Sequence, residues 1–124
     1  MGCTGLAAGP EVSTTTPVPV SRDSAYVRAK RAVQTEGFTL EVQDSLKGQL
    51  AGLRYPSANA RMGTAAACRV QLALALHGGP DRTDVGWTSR WIAPVAMAKS
   101  PNVCETDRTE TLARIEQVIV PPQQ

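Results

Sequence analysis

Apolar residues recur along this chain at two different spacings. Between residues 21 and 36, Tyr26, Ala29, Ala32 and Val33 fall on one side of a 3.6-residue repeat, with Arg28, Arg31 and Gln34 on the other. The pattern predicts a helix. Ser21 is placed to cap it, Asp23 sits where the helix dipole favours a carboxylate, and Gly37 supplies the stop. The spacing then drops to two. Phe38, Leu40 and Val42 alternate with Thr39, Glu41 and Gln43, which predicts a first strand. Residues 44–48 form a turn and residues 49–54 a second strand. Residues 55–67 are small and irregular, and read as loop. Cys68, Val70, Leu72, Leu74 and Leu76 then alternate with Arg69, Gln71, Ala73, Ala75 and His77 in a third strand.

Gly78-Gly79-Pro80-Asp81 signals a turn. Residues 84–92 form a fourth strand with Val85, Trp87 and Trp91 on one side. Pro94 and Pro101 make residues 93–103 loop. Residues 106–120 return to helical spacing, with Thr106 as cap and Leu112, Ile115, Val118 and Ile119 as the apolar stripe. Each strand has one apolar and one polar face, as in an antiparallel sheet covered on one side. Both helices must bury their stripes there. The expected fold is α+β, a two-layer sandwich of a four-stranded antiparallel sheet with two helices on one face. The sheet becomes five-stranded if residues 14–20 add an edge strand, where Pro19 between Val18 and Val20 is tolerated.

The ends are different in kind. Residues 1–20 hold Gly2, Gly5, Gly9, Pro10, Pro17, Pro19 and the run Ser13-Thr14-Thr15-Thr16, and read as a flexible tether. Residues 21–120 are the single folded domain, and residues 121–124 a disordered tail. The 124 residues carry 13 Lys and Arg against 11 Asp and Glu, a net charge of +2. The tight basic group Arg28, Lys30 and Arg31 does not share one helix face, so no nucleic-acid surface is expected. No apolar run reaches the ~20 residues of a membrane span. Membrane contact is therefore expected only through a lipid or a partner.

Little chemistry is on offer. His77 is the one histidine. As a general base it would need a nucleophile and an orienting acid; Ser100 and Asp81 are candidates only by being present. A turn histidine facing solvent is the expectation. Asp81 and Asp84 with Arg82 between them read as a solvated loop. No catalytic, cofactor or metal site is predicted, and the chain is not expected to be an enzyme. Trp87 and Trp91 share a strand face, either as core against the helices or, with Arg90 between them, as a partner surface. The outer sheet face (Thr39, Glu41, Gln43, Arg69, Gln71, Thr88, Arg90) is a candidate docking surface. Cys68 and Cys104 are read as a disulfide stapling the last helix to the sheet; without an oxidising compartment they would be two buried thiols.

Gly2-Cys3 followed by a polar, proline-rich stretch resembles the cleavage junction of bacterial lipoproteins. The charged start and apolar stretch of a signal peptide do not precede it, which that reading attributes to trimming. The stretch from Ala32-Val33 through Glu36-Gly37-Phe38-Thr39-Leu40 to Asp44 and Gly48 is similar to a module of envelope lipoproteins related to BamC of the outer-membrane assembly machinery, with a helix-grip shape. It covers about a third of the chain. The resemblance implies acylation of Cys3 and a lipid-anchored place on the periplasmic side of a bacterial membrane. The expected function is an interaction or accessory subunit of a membrane complex, whether for assembly, respiration or photosynthesis. Its partners would be the membrane, through lipid on Cys3, and a protein. A second expectation is a soluble domain binding a small apolar ligand between sheet and helices, beneath Trp87 and Trp91.

Overall fold

The computed structural model describes residues 5–57, 64–95 and 102–120. Cys3, Ser100 and residues 121–124 lie outside them. The chain forms β1 (Leu6–Ala8), β2 (Val12–Val18), α1 (Arg22–Thr35), β3 (Thr39–Asp44) and β4 (Gln49–Arg54). A 3₁₀ turn at Ala65–Ala67 leads into β5 (Arg69–Gly78), β6 (Thr83–Pro94) and α2 (Val103–Ile119). The architecture is α+β, as the alternating pattern requires. Strands β6, β5, β4 and β3 are consecutive antiparallel neighbours, and β1 and β2 pair with successive lengths of β6, completing a six-stranded sheet.

The added strands correct the tether assignment. Residues 6–8 and 12–18 are sheet, not linker; the second stretch overlaps the edge strand expected at 14–20. Two features of the sequence allow this. The β-branched run Thr14–Thr16 suits a pleated ribbon, and Pro17 is acceptable because β2 pairs only with β6. Gly9 joins the two strands by donating its N–H to the Trp91 carbonyl at 3.0 Å. A Cβ there would lie 2.1 Å from Trp91 Nε1, so the backbone rests directly on the indole.

Helix α1 is capped as expected: Ser21 Oγ accepts from the Ser24 N–H at 3.2 Å. Helix α2 starts earlier than Thr106. Asn102 Oδ1 accepts from the Cys104 and Glu105 N–H groups at 3.0 and 3.3 Å, so asparagine is the cap. Strand β6 also runs on through Pro94, beyond the predicted end. In β3 a bulge between Leu40 and Val42 breaks the two-residue alternation. Val42 therefore pairs with Ala51 on the outer face instead of joining Leu40 in the core.

The main core lies between the helices and the sheet. Ala25, Ala29 and Ala32 bring α1 close, and Leu50, Leu72, Leu74, Leu76, Val85 and Trp87 meet Ile115 and Ile119 of α2. A second cluster holds Ala67, Cys68, Trp91, Ala93 and Cys104. Cys68 and Cys104 are bonded, with Cα atoms 5.4 Å apart, and tie α2 to the start of β5. The inward stripe of α2 is Cys104, Arg108, Thr111, Ile115 and Ile119; Val118 is half-exposed.

Candidate functional site

The sheet's helix-free face carries an unusual floor. Residues directly opposite in an antiparallel pair point the same way. One outward row therefore crosses five strands: Val42 of β3, Ala51 of β4, Ala73 of β5, Thr88 of β6 and Ser13 of β2. A second row, one pleat on, runs Gln49, Ala75, Gly86 and Thr15. In the middle strands these positions include Ala51, Ala73, Ala75 and Gly86, residue types depleted in strands. The missing side chains leave a trough of about 430 Å³. Five strands at ~4.8 Å spacing make it about 19 Å across. A smaller opening of about 220 Å³ continues toward Glu11, Glu41, Gln71 and Arg90. Arg90 is held there by Glu11, Nη2 to Oε2 at 3.0 Å.

The trough is apolar at its centre and hydroxylated at the β6–β2 end, where Ser13 Oγ and Thr88 Oγ1 lie 3.4 Å apart. Val42, put outside by the bulge, forms the opposite end. A Cβ on Gly86 would meet only the Ala75 carbonyl oxygen, at 3.6 Å, so the space above it is open.

The helix-covered face is organised differently. Trp87 and Trp91 are 3% and 5% exposed, which places them in the core and removes them from any partner surface. Trp87 Nε1 donates to Thr16 Oγ1 at 3.1 Å. Openings lined by described residues include the two on the outer face and one at the start of α1, by Ser21, Gly78 and Gly79. A cavity between sheet and helices is not among these, although Leu50, Leu74 and Trp87 also line the larger outer opening. Polar groups bridge the layers there. Arg108, buried between α2 and β6, donates to Ser89 Oγ at 2.9 Å and pairs with Glu105. Arg54 at the end of β4 pairs with Asp107 and donates to Thr111 Oγ1 at 2.9 Å. Arg114 reaches Glu36, the C-cap of α1, at 2.9 Å. The Arg108 guanidinium beside Glu105 holds its carboxyl below the ordinary carboxylate range, against the opposing effect of burial; Thr109 and Trp91 add hydrogen bonds. Glu36 likewise pushes the Arg114 pKa up. These charges are all satisfied within the protein, an arrangement that fixes α2 on the sheet.

The remaining predicted residues scatter. His77 is exposed at the end of β5, where the register sets it opposite Asp84 rather than Asp81. Asp84 itself lies 3.7 Å from Arg82. Among the described residues, no three of His, Cys, Asp and Glu gather in a way that could hold a metal ion. No described helix is long and apolar enough to cross a membrane. The sequence reading named Thr88, Gln71, Arg69 and Arg90 on the outer face but passed over Ala51, Ala73, Ala75 and Gly86. The available signal was small residues at solvent positions of central strands.

No family model and no curated protein matches the chain. Solved structures do. Ara h 8.0201 superposes with a TM-score of 0.66 at 8% identity, over 93% of this chain and 95% of its own. The di-domain ARO/CYC BexL from the BE-7585A biosynthetic pathway gives 0.58 at 11% identity, over 90% of this chain. The match spans 46% of BexL. A DUF4468 family protein from Bacteroides ovatus gives 0.53 at 12% identity, over 90% and 86% of the two chains. At such identities the likeness is one of fold, and the fold of this chain is the helix-grip sandwich.

Proposed function

We propose that the chain is a non-catalytic binding domain of the bacterial cell envelope, which takes an uncharged, largely apolar ligand in the trough on the helix-free face. The trough carries this reading. A solvent-facing sheet gains from threonine, tyrosine or valine at central positions; here Ala51, Ala73, Ala75 and Gly86 forgo that gain and leave a volume within the range of ligand sites. Apolar contact comes from the alanines and Val42, and orientation from the Ser13, Thr15 and Thr88 hydroxyls. Ionised groups stand at the margins, with Arg90 already neutralised by Glu11. BexL carries the name ARO/CYC, but among the described residues that line this trough there is no acid–base pair to support catalysis.

The envelope location has two supports. The Cys68–Cys104 bond suits an oxidising compartment. Cys3 follows Gly2, as in lipoprotein junctions, and would carry the anchoring lipid. A protein subunit of a membrane complex laid over the same face is the second reading, favoured by the trough being open along its length. Strand addition at the free β3 edge is disfavoured by the bulge, which blunts pairing.

The test is titration with N-phenyl-1-naphthylamine, an uncharged dye that fluoresces in apolar surroundings. Saturable binding is expected, weakened at least tenfold by Gly86→Leu, which fills the trough without touching the core. Equal binding by parent and variant at unchanged stability refutes the site. Absence of dye binding, with a cross-linker at Thr88 capturing one membrane protein, selects the second reading.

A further inference from the structure

We infer that the outer side of the helix layer is a self-complementary interface, through which two copies of the chain pair reversibly, α1 of each lying over α2 of the other. The charges carry the argument. Arg54, Arg82, Arg90, Arg108 and Arg114 each meet a carboxylate within the chain. Among the described residues, Arg28, Lys30 and Arg31 of α1 form no salt bridge, and neither do Glu110 and Glu116 of α2. Unpaired cations therefore stand on one helix and unpaired carboxylates on its neighbour. An anionic surface would suit α1 and be repelled by α2; a basic one would do the reverse. A second copy, turned by half a rotation, satisfies both.

The placement of the helices permits that pairing. Both bury their apolar residues on the same face of the sheet, and they run in opposite directions. Arg22 at the start of α1 donates its N–H to the Gly79 carbonyl at 3.2 Å, beside the β5–β6 turn; Cys104 at the start of α2 is bonded to Cys68 at the other end of β5. The contact of Arg114 with Glu36 sets their relative level. Going back from Glu36 along α1 leads to Arg31 and then Val27; going on from Arg114 along α2 leads to Glu116 and then Val118. A two-fold axis along the groove between the helices keeps these levels and exchanges the helices. Arg31 of one copy then stands over Glu116 of the other, and Val27 comes against Val118. The two valines are 56% and 49% exposed. Ala113, exposed between Glu110 and Glu116, leaves the α2 backbone open to close approach. Helices of 14 and 17 residues offer a footprint of about 400 Å². That is less than the ~800 Å² per partner of a standard interface, so the dimer is reversible and salt-sensitive. Both troughs stay free, on opposite outer surfaces.

Sedimentation equilibrium of the full chain carrying Cys3→Ser, which removes any intermolecular disulfide at that thiol, measures the pairing. A monomer–dimer equilibrium is expected, loosened by about 1 M salt, which cuts the screening length to about 3 Å. Arg31→Glu and Glu116→Arg should each raise the dissociation constant by about tenfold or more, because like charges then face each other. Combined in one chain they restore the pair with its signs exchanged, and the constant should return close to the parent's. Lys47→Glu makes the same charge change away from the helix layer and should leave the constant unchanged. Urea unfolding of each variant separates lost pairing from lost folding. A monomer at every concentration up to millimolar overturns the interface. So does a double variant no tighter than its singles, or a dimer weakened as much by Lys47→Glu, which would report net charge and not this face.

Discussion

Arg108 of α2 donates through Nη1 to Ser89 of β6 at 2.9 Å, in the layer between helix and sheet. Ser89 lies on the inner face of β6 between Trp87 and Trp91. The contact thus divides the main core from the disulfide cluster and fixes the helix along the strand. Arg108→Met keeps the aliphatic stem and removes the donors, leaving the buried Ser89 hydroxyl without its partner. The expected loss is about 1–3 kcal/mol. Ser89→Ala added to it should recover part of that loss, because an apolar pair asks for no hydrogen bond. Urea unfolding of the two singles and the double measures the coupling; strict additivity rules it out.

The bond between Cys68 and Cys104 closes a loop of 36 residues. Chain entropy alone gives such a link about 4 kcal/mol. Cys68→Ala with Cys104→Ala should therefore lower unfolding free energy by about 2–5 kcal/mol. Dithiothreitol should lower the parent by a similar amount and leave the double variant unchanged. A parent insensitive to reductant would show that the link carries no stability.

Much of this fold was legible because alternation and helical spacing are local. Residues 69–76 could not place Leu72 and Leu74 inside without placing Gln71 and Ala73 outside. The edge strand allowed at residues 14–20 overlaps β2, but β1 was hidden by composition: Gly5, Gly9 and Pro10 mark a linker by frequency, and only the partner strand β6 shows that Gly9 must pass over Trp91. The bulge at residues 40–42 is likewise a property of the β3–β4 pair, so Val42 was assigned to the wrong face. The trough went unseen because alanine at an exposed strand position is unremarkable alone. It acquires meaning when the register sets Ala51 beside Ala73, and Ala75 beside Gly86.

Glu105 gives the pH dependence a definite sign. Its folded pKa is lowered, first by the hydrogen bond from Arg108. The stabilisation is therefore present above the ordinary glutamate range and disappears as pH falls through the depressed value. The side chain is 40% exposed, so solvent screens the pair. An effect of about 0.2–1 kcal/mol is expected, as for exposed ion pairs. Glu105→Gln should be less stable than the parent at neutral pH, and the gap should close in acid. A gap independent of pH would trace the effect to the hydrogen bond with Thr109 or Trp91 and away from the charge.

The placement of the first strand can be tested at a single atom. A methyl group on Gly9 would overlap the Trp91 indole, with its Cβ 2.1 Å from Nε1 and 2.5 Å from Cε2. Neither side can yield easily: the Gly9 N–H is bonded to the Trp91 carbonyl, and the ring is packed among Ala67, Ala93 and the disulfide. Gly9→Ala should cost about 1–3 kcal/mol, as overpacking does, and should shift Trp91 emission as the segment lifts. Gly79→Ala is the control, because a Cβ there meets nothing within 4 Å; its stability should change by less than about 0.5 kcal/mol. A tether would tolerate both substitutions equally. Selective damage at position 9, with loss of amide-exchange protection at residues 6–8, is the result that a strand lying on Trp91 demands.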